Sequence, residues 1–275
     1  SLLENKDRRI RRDAFQALYS VYAQYKNTIC ATFSANVKQA LFYAKARGYA
    51  SSRQHSLAEN EVPEAVYDNL VTAVRKGLPL LHRYVGIRKK ALGLEDLHMY
   101  DLYVSMAADV ERRYTIEEAK NLVLEGLKPL GEEYGKLLRQ GFEDRWIDVY
   151  ENEGKRSGAY SWGVYGTHPY VLMNFNGTLN DVFTLAHEMG HSIHTYYSNQ
   201  AQPYVYAGYK IFVAEVASTC NEALLIRYLM GRTKDRKELL YLINHFLESF
   251  RGTLFRQTMF AEFEQQAHQM AGEGK

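Results

Sequence analysis

From Ser157 to Tyr209 only two side chains, Asp181 and Glu188, carry a formal charge, although charged residues make up 24% of the sequence. A stretch so long and so poor in charge is an interior, to be covered by the rest of the chain. Asp181 has a local explanation, because Thr178-Leu179-Asn180-Asp181 reads as a capping box that opens a helix. Glu188 has none. It stands in His187-Glu188-Met189-Gly190-His191, on the helix begun by that box, with apolar Val182, Phe183, Leu185, Ala186 and Ile193 around it. An unpaired carboxylate beside two imidazoles in such surroundings costs several kcal/mol, and a metal ion removes the problem.

The spacing fits that solution. Residues four apart share a helix face, so His187 and His191 can reach one tetrahedral zinc at about 2.0–2.1 Å. Glu188 points to nearly the same side and can take a proton from water whose pKa the metal lowers. A chain of this composition yields about 0.02 chance occurrences of HExxH, which makes the pattern informative without being decisive. A third ligand is required. The segment Lys210 to Met230 reads as a helix apolar nearly all round, with acidic Glu215 and Glu222 seven apart, on one stripe within about 20°. One ligand and one supporting carboxylate are expected there, and spacing does not choose between them. His194 also shares the face. A metzincin would place Gly at 194 and His at 197, but this chain has His194 and Tyr197, so His194 is expected to line the cleft or support the structure.

Around this centre the chain reads as mainly helical. Only 5 prolines interrupt it. Helical spacing runs through Ala14, Leu18, Val21, Tyr22 and Tyr25, then Val37, Leu41 and Phe42, up to a break at Arg47-Gly48. Pro63 opens a helix with Val66, Leu70, Val71 and Val74 expected inward, and Thr115 with Glu118 forms a capping box before Ala119, Leu122, Val123 and Leu127. From about residue 154 glycines multiply, and the runs 158–162 and 170–175, joined through Gly166-Thr167-His168-Pro169, predict two antiparallel strands. We therefore expect a helical scaffold region over 1–150 and a zinc-binding catalytic region over 151–275, forming one continuous unit. The chain begins at Ser1 without Met and stops after a helical pattern, so it is expected to be a piece of a longer protein.

Charge excludes several partners. A net charge of +2 gives no reason to expect nucleic acid. The clusters Arg8-Arg9-Ile10-Arg11-Arg12 and Arg88-Lys89-Lys90 read as solvated helix faces. No apolar run is long enough to span a membrane. The two distant cysteines, Cys30 and Cys220, read with the absence of a visible signal peptide as reduced thiols of a cytoplasmic protein.

Four segments carry a resemblance: Gly158-Ala159-Tyr160-Ser161; His168-Pro169-Tyr170-Val171-Leu172-Met173-Asn174-Phe175-Asn176-Gly177; His187-Glu188-Met189-Gly190-His191-Ser192-Ile193-His194; and Phe212-Val213-Ala214-Glu215-Val216-Ala217-Ser218-Thr219-Cys220-Asn221-Glu222. Together they resemble the thimet oligopeptidase/oligoendopeptidase F family of zinc metallopeptidases, closest to the oligoendopeptidase F branch. The resemblance implies one zinc held by His187, His191 and Glu215, with Glu188 as general base. It also implies a zincin-type active-site helix inside a helical, channel-forming shell that admits short unfolded peptides. Glu222 then becomes a candidate to orient a ligating histidine. Gly158, Ala159 and Tyr160 would belong to an edge strand offering backbone groups to an extended peptide. His194, and Gly208 in a glycine-tyrosine loop, are further candidates for substrate contact. Family members are longer, with helices before this chain's start and a His- and Tyr-rich segment after its end, so the chain alone is expected to bind zinc yet cleave peptides poorly.

The expected function is thus a zinc-dependent endo-oligopeptidase acting on internal bonds of short peptides. A zinc carboxypeptidase or dipeptidase, and a non-catalytic helical peptide-binding protein with a relic site, are the rival readings.

Overall fold

The structure, a computed structural model, describes residues 2–106 and 112–274. In chain order its main elements are α1 (Arg8–Gln24), α2 (Lys26–Ala46), α3 (Ser52–Ala58), α4 (Glu64–Ala91), α5 (Ile116–Gly126), α6 (Glu132–Glu143), β1 (Ile147–Asp148), β2 (Tyr160–Trp162), β3 (Tyr170–Leu172), α7 (Leu179–Ala201), α8 (Ile211–Arg232), α9 (Arg236–Ser249) and α10 (Arg256–Gly272). A π-helical segment, Phe250–Phe255, joins α9 to α10. The mainly helical class is the one expected. Two compact units divide the chain: Ser1–Asp109 with Asn244–Lys275, and Val110–Ile243. The change of character near residue 150 therefore falls inside the second unit, because α5 and α6 pack with α7 and α8 there.

In the first unit, helix starts follow local chemistry. The Asp7 carboxylate accepts from the Arg9 N–H at the start of α1, and Ser51 does the same for Gln54 at α3. The helical spacing read across residues 14–42 is split in two at Tyr25, and α2 ends before Gly48, as the sequence indicates. Two expectations are corrected. Val66 and Leu70 on α4 are 41% and 48% exposed, and of that inward set Val74 alone is buried. The basic clusters are not wholly solvated either, since Arg11 and Arg88 are buried. Their partners lie far away in sequence, where a local charge pattern gives no sign of them.

Those partners form a polar core. Asp101, with no exposed surface, accepts from Arg11 Nη2 at 2.7 Å, from Arg8 Nη2 at 3.0 Å and from the His98 N–H at 3.0 Å. Burial pushes its carboxyl up, but the Arg8 and Arg11 guanidiniums outweigh this and hold it below the ordinary aspartate value. Arg88 donates to the main-chain carbonyls of Asp101 at 3.1 Å and Leu102 at 2.8 Å, and also to that of Val104. Its remaining nitrogen reaches Glu248 at 3.2 Å, which also accepts from the Tyr84 hydroxyl and from Arg251.

The second unit is packed with apolar side chains. Both capping boxes read from the sequence are present, Thr115 with Glu118 on α5 and Thr178 with Asp181 on α7. Ala119, Leu122 and Val123 of α5, Leu137 and Leu138 of α6, and most of the first four turns of α7 are buried. The two predicted strands are β2 and β3, paired antiparallel with Ser161 opposite Val171. A third strand, β1, pairs parallel with β3, so the sheet is mixed rather than purely antiparallel, in the order β1-β3-β2. Two residues offer no pattern from which that strand could be read. Among the described residues no helix is long and apolar enough to cross a membrane, and Cys30 and Cys220 are both unpaired and exposed.

Candidate metal centre

The HExxH segment lies in the middle of α7, whose N-terminus is fixed by the Thr178 cap, so His187 and His191 project from one face. Against α7 packs α8, where Ser218 and Asn221 lie against Gly190, while Leu225 of α8 packs on Gly126 of α5. This brings Glu215 over the two imidazoles. His187 Nε2 and His191 Nε2 are 3.2 Å apart, and each is 3.3 Å from Glu215 Oε2. Ligands at about 2.0–2.1 Å from a tetrahedral zinc are themselves separated by about 3.3 Å. The triangle thus has the size of three corners of a zinc coordination sphere.

The contact of His187 Nδ1 with Glu222 Oε1 at 2.5 Å agrees: with the ring's proton at Nδ1, a neutral imidazole turns a lone pair at Nε2 toward the triangle. His191 is held by a bond from its ring to the Ala214 carbonyl. Three acceptor atoms at van der Waals contact repel one another unless a cation lies among them, so these residues fit a zinc ion. Burial pulls the His187 imidazole down, and Glu222, Glu188 and Glu215 outweigh it, which shows how strongly the carboxylates favour positive charge here.

Glu188 is buried, and its Oε2 has no hydrogen-bond partner among the described residues. Burial, opposed by His187, pushes its carboxyl above the ordinary glutamate value, while the Ser161 backbone on β2 bonds to it. A second link, between the Ser161 and Ser192 hydroxyls at 2.8 Å, ties the edge strand to α7. Neither serine stands out in the sequence, since small polar residues in an apolar stretch carry no signal of their own.

The remaining candidates are spread around this core. Tyr160 is exposed on β2, and Gly158, just before the strand, adopts φ +90° and offers its carbonyl to Asn174. Ala159 lies between them. His194 stays outside the donor triangle and stacks on Tyr209, with ring centroids 3.8 Å apart. Gly208 has open space around it, while the loop on either side is anchored to α7 by Ser198 to the Ala207 carbonyl and by Thr195 to the Tyr209 hydroxyl. The opening of α8 departs from the expected buried helix: Ile211, Phe212 and Val216 are exposed, and the Glu215 side chain is 61% exposed, so the triangle is open on that side.

Comparisons with known proteins point the same way. Oligopeptidase PepF of Bacillus subtilis is 55% identical over all 275 residues, which make up 41% of that protein. An oligoendopeptidase F homolog of Lactococcus lactis is 50% identical, with 46% of its length covered. The crystal structure of oligoendopeptidase-F from Enterococcus faecium superposes with a TM-score of 0.73 at 41% identity, over 100% of this chain and 42% of that one. The chain therefore spans less than half the length of these relatives. The sequence profile of peptidase family M3 matches residues 1–275, and the chain belongs to that family.

Proposed function

We propose that this chain carries the metal centre of a zinc-dependent endo-oligopeptidase, with His187, His191 and Glu215 as ligands of one zinc ion and Glu188 as general base. The observation that carries this reading is the donor triangle, with edges of 3.2–3.3 Å. Zinc, when bound, supplies a Lewis acid that acidifies water and polarises a carbonyl. The chain's own residues supply the rest. Glu222 holds His187 in the tautomer that frees Nε2. Glu188 has an unpaired, buried Oε2 that takes a proton from the attacking water and returns it to the leaving amine. Its buried position, with Oε2 unpaired among the described residues, leaves an atom available first to accept a proton and then to donate it.

Substrates in this reading are short peptides, laid along the edge strand β2 near Gly158, Ala159 and Tyr160, with His194 and the Gly208 loop as further contacts. The names of the relatives, oligopeptidase and oligoendopeptidase, support that class. Two unpaired, exposed cysteines fit a reducing compartment, the cytoplasm. The test is Glu188→Gln in the full-length protein, assayed on an internally quenched peptide blocked at both ends. Zinc content should stay at one per chain while turnover falls by orders of magnitude. Near-normal turnover, or loss of zinc, removes Glu188 from the role, and failure to cut the end-blocked peptide by the wild type moves the reading to an exopeptidase.

A further inference from the structure

Three donor atoms and the carboxylate that orients one of them must be placed within a few tenths of an ångström for this centre to exist, yet His187 and His191 ride on α7 while Glu215 and Glu222 ride on α8. Something has to fix how far one helix lies along the other. Apolar packing is a poor ruler for that purpose, because it is non-directional. Apart from the contacts of the metal-binding side chains themselves, a directional contact between α7 and α8 is made by Asn221, a residue 1% exposed and one position before Glu222. Its Nδ2 donates to the carbonyl of Ala186 at 2.9 Å, one position before His187. Its Oδ1 accepts from the Tyr134 hydroxyl on α6 at 3.0 Å. The carbonyl can only accept, so the orientation of the amide is determined. Burial pushes the Tyr134 hydroxyl up to about 12, which keeps it a donor.

One turn further along α7, the helices touch through their backbones. A Cβ on Gly190 would lie 2.8 Å from Ser218 Cα, 3.0 Å from the Ala217 carbonyl and 3.0 Å from Asn221 Nδ2, so only glycine permits this approach. Gly190 sets the distance between the helices, and the amide bond sets their position along the axis. The tolerance is narrow. A slide of α8 by one residue moves Glu215 by about 1.5 Å, whereas metal–ligand distances hold within about 0.2 Å.

We propose that Asn221, oriented by Tyr134, is a positioning residue that fixes the register of α8 against α7 and thereby the spacing of Glu215 and Glu222 from His187 and His191. This rests on the metal-centre reading above. Asparagine is suited to the task because it donates to one helix while accepting from another, so its amide cannot rotate without losing both bonds. Aspartate would fit the space but would set a carboxylate oxygen against the Ala186 carbonyl.

The experiment uses the full-length protein with Asn221→Ala, Asn221→Asp and Tyr134→Phe, and Leu242→Ala as a buried control on α9. Three quantities are read: zinc affinity by competition with a chromophoric chelator, the visible spectrum of the cobalt-substituted protein, and the thermal midpoint of the metal-free form. Both Asn221 variants should weaken zinc by about 10–100-fold and alter the cobalt spectrum. Tyr134→Phe should act in the same direction by less, and it decides the matter where an Asn221 variant does not fold. Leu242→Ala should lower the thermal midpoint while leaving affinity and spectrum unchanged. Asn221 and Tyr134 variants with a lowered midpoint but wild-type affinity and spectrum would reduce the pair to ordinary packing and overturn the proposal. A wild-type protein that binds neither zinc nor cobalt would overturn the metal-centre reading itself, and this inference with it.

Discussion

Of the largest side chains hidden almost completely from solvent among the described residues, Arg88 alone belongs to the unit formed by Ser1–Asp109 and Asn244–Lys275, while Trp146, Leu138, Met189, Ile193 and Leu225 all belong to Val110–Ile243. The first unit buries charge and holds most of it in hydrogen bonds, with Arg11 Nε left over among the described residues; the second buries mainly hydrocarbon, with Glu188 as its charged exception. In the first, Asp101 is bound by two guanidiniums and Arg88 by three carbonyls and a carboxylate, while Leu18, Val21 and Tyr22 of α1 stay exposed. In the second, α5 to α8 bury apolar faces in the ordinary way. An apolar core is written one residue at a time, because each leucine carries its own tendency to leave water. A polar core is written in pairs, and neither member means anything without the other.

The strongest way to break this contrast is to remove the hub of the polar core. Asp101→Ala leaves the buried Arg11 charge without its carboxylate, with only the Asn5 and Lys6 carbonyls to hold it, and should cost about 3–5 kcal/mol in denaturant unfolding. Hydrogen exchange should place the loss in the first unit, and a cost near that of an exposed ion pair would show that the network is decoration. Leu138→Ala, in the second unit, should cost about 2–5 kcal/mol with the increase in exchange confined to α5–α8. An equal response in both units would mean that they share one cooperative core.

Acid gives the gentlest separation. The Asp101 carboxyl is held below its ordinary value in the folded state, so its contribution is complete above about pH 4 and is lost as pH falls through the depressed folded value. Exchange between pH 5 and pH 3 should therefore rise in the segment around His98–Val104 before it rises in α5 and α6. The reverse order would show that the guanidiniums do not stabilise the carboxylate as described.

The same contrast explains what could be read in the sequence. The boxes Thr115/Glu118 and Thr178/Asp181, the pair His187 and His191, and the strands around Ser161 and Val171 are all local patterns, and each is present. Glu215 and Glu222 were left as a pair, because seven residues is nearly two whole turns and puts both on the same stripe. The difference between them arises from where α7 lies: Glu215 reaches Nε2 of both histidines and Glu222 reaches Nδ1 of one. Arg11 and Arg88 read as surface charge in the sequence for the same reason, since Asp101 and Glu248 are brought to them by the fold. Strand β1 and the amide of Asn221 are of this kind too.

The grip of Arg88 bears on which substitutions this chain can accumulate. It holds main-chain oxygens at Asp101, Leu102 and Val104, and every residue type supplies that oxygen. Side chains along Leu102–Val104 can change without costing the anchor a bond, although Val104 is itself buried and answers to its packing. Position 88 has no such latitude. Lysine keeps the charge, but its compact ammonium on a single carbon cannot present the planar fork of donors that spans three carbonyls and the Glu248 carboxylate at once. The anchoring residue is thus the inheritable constraint, because its fork of donors has no substitute, whereas the oxygens it holds come with any residue.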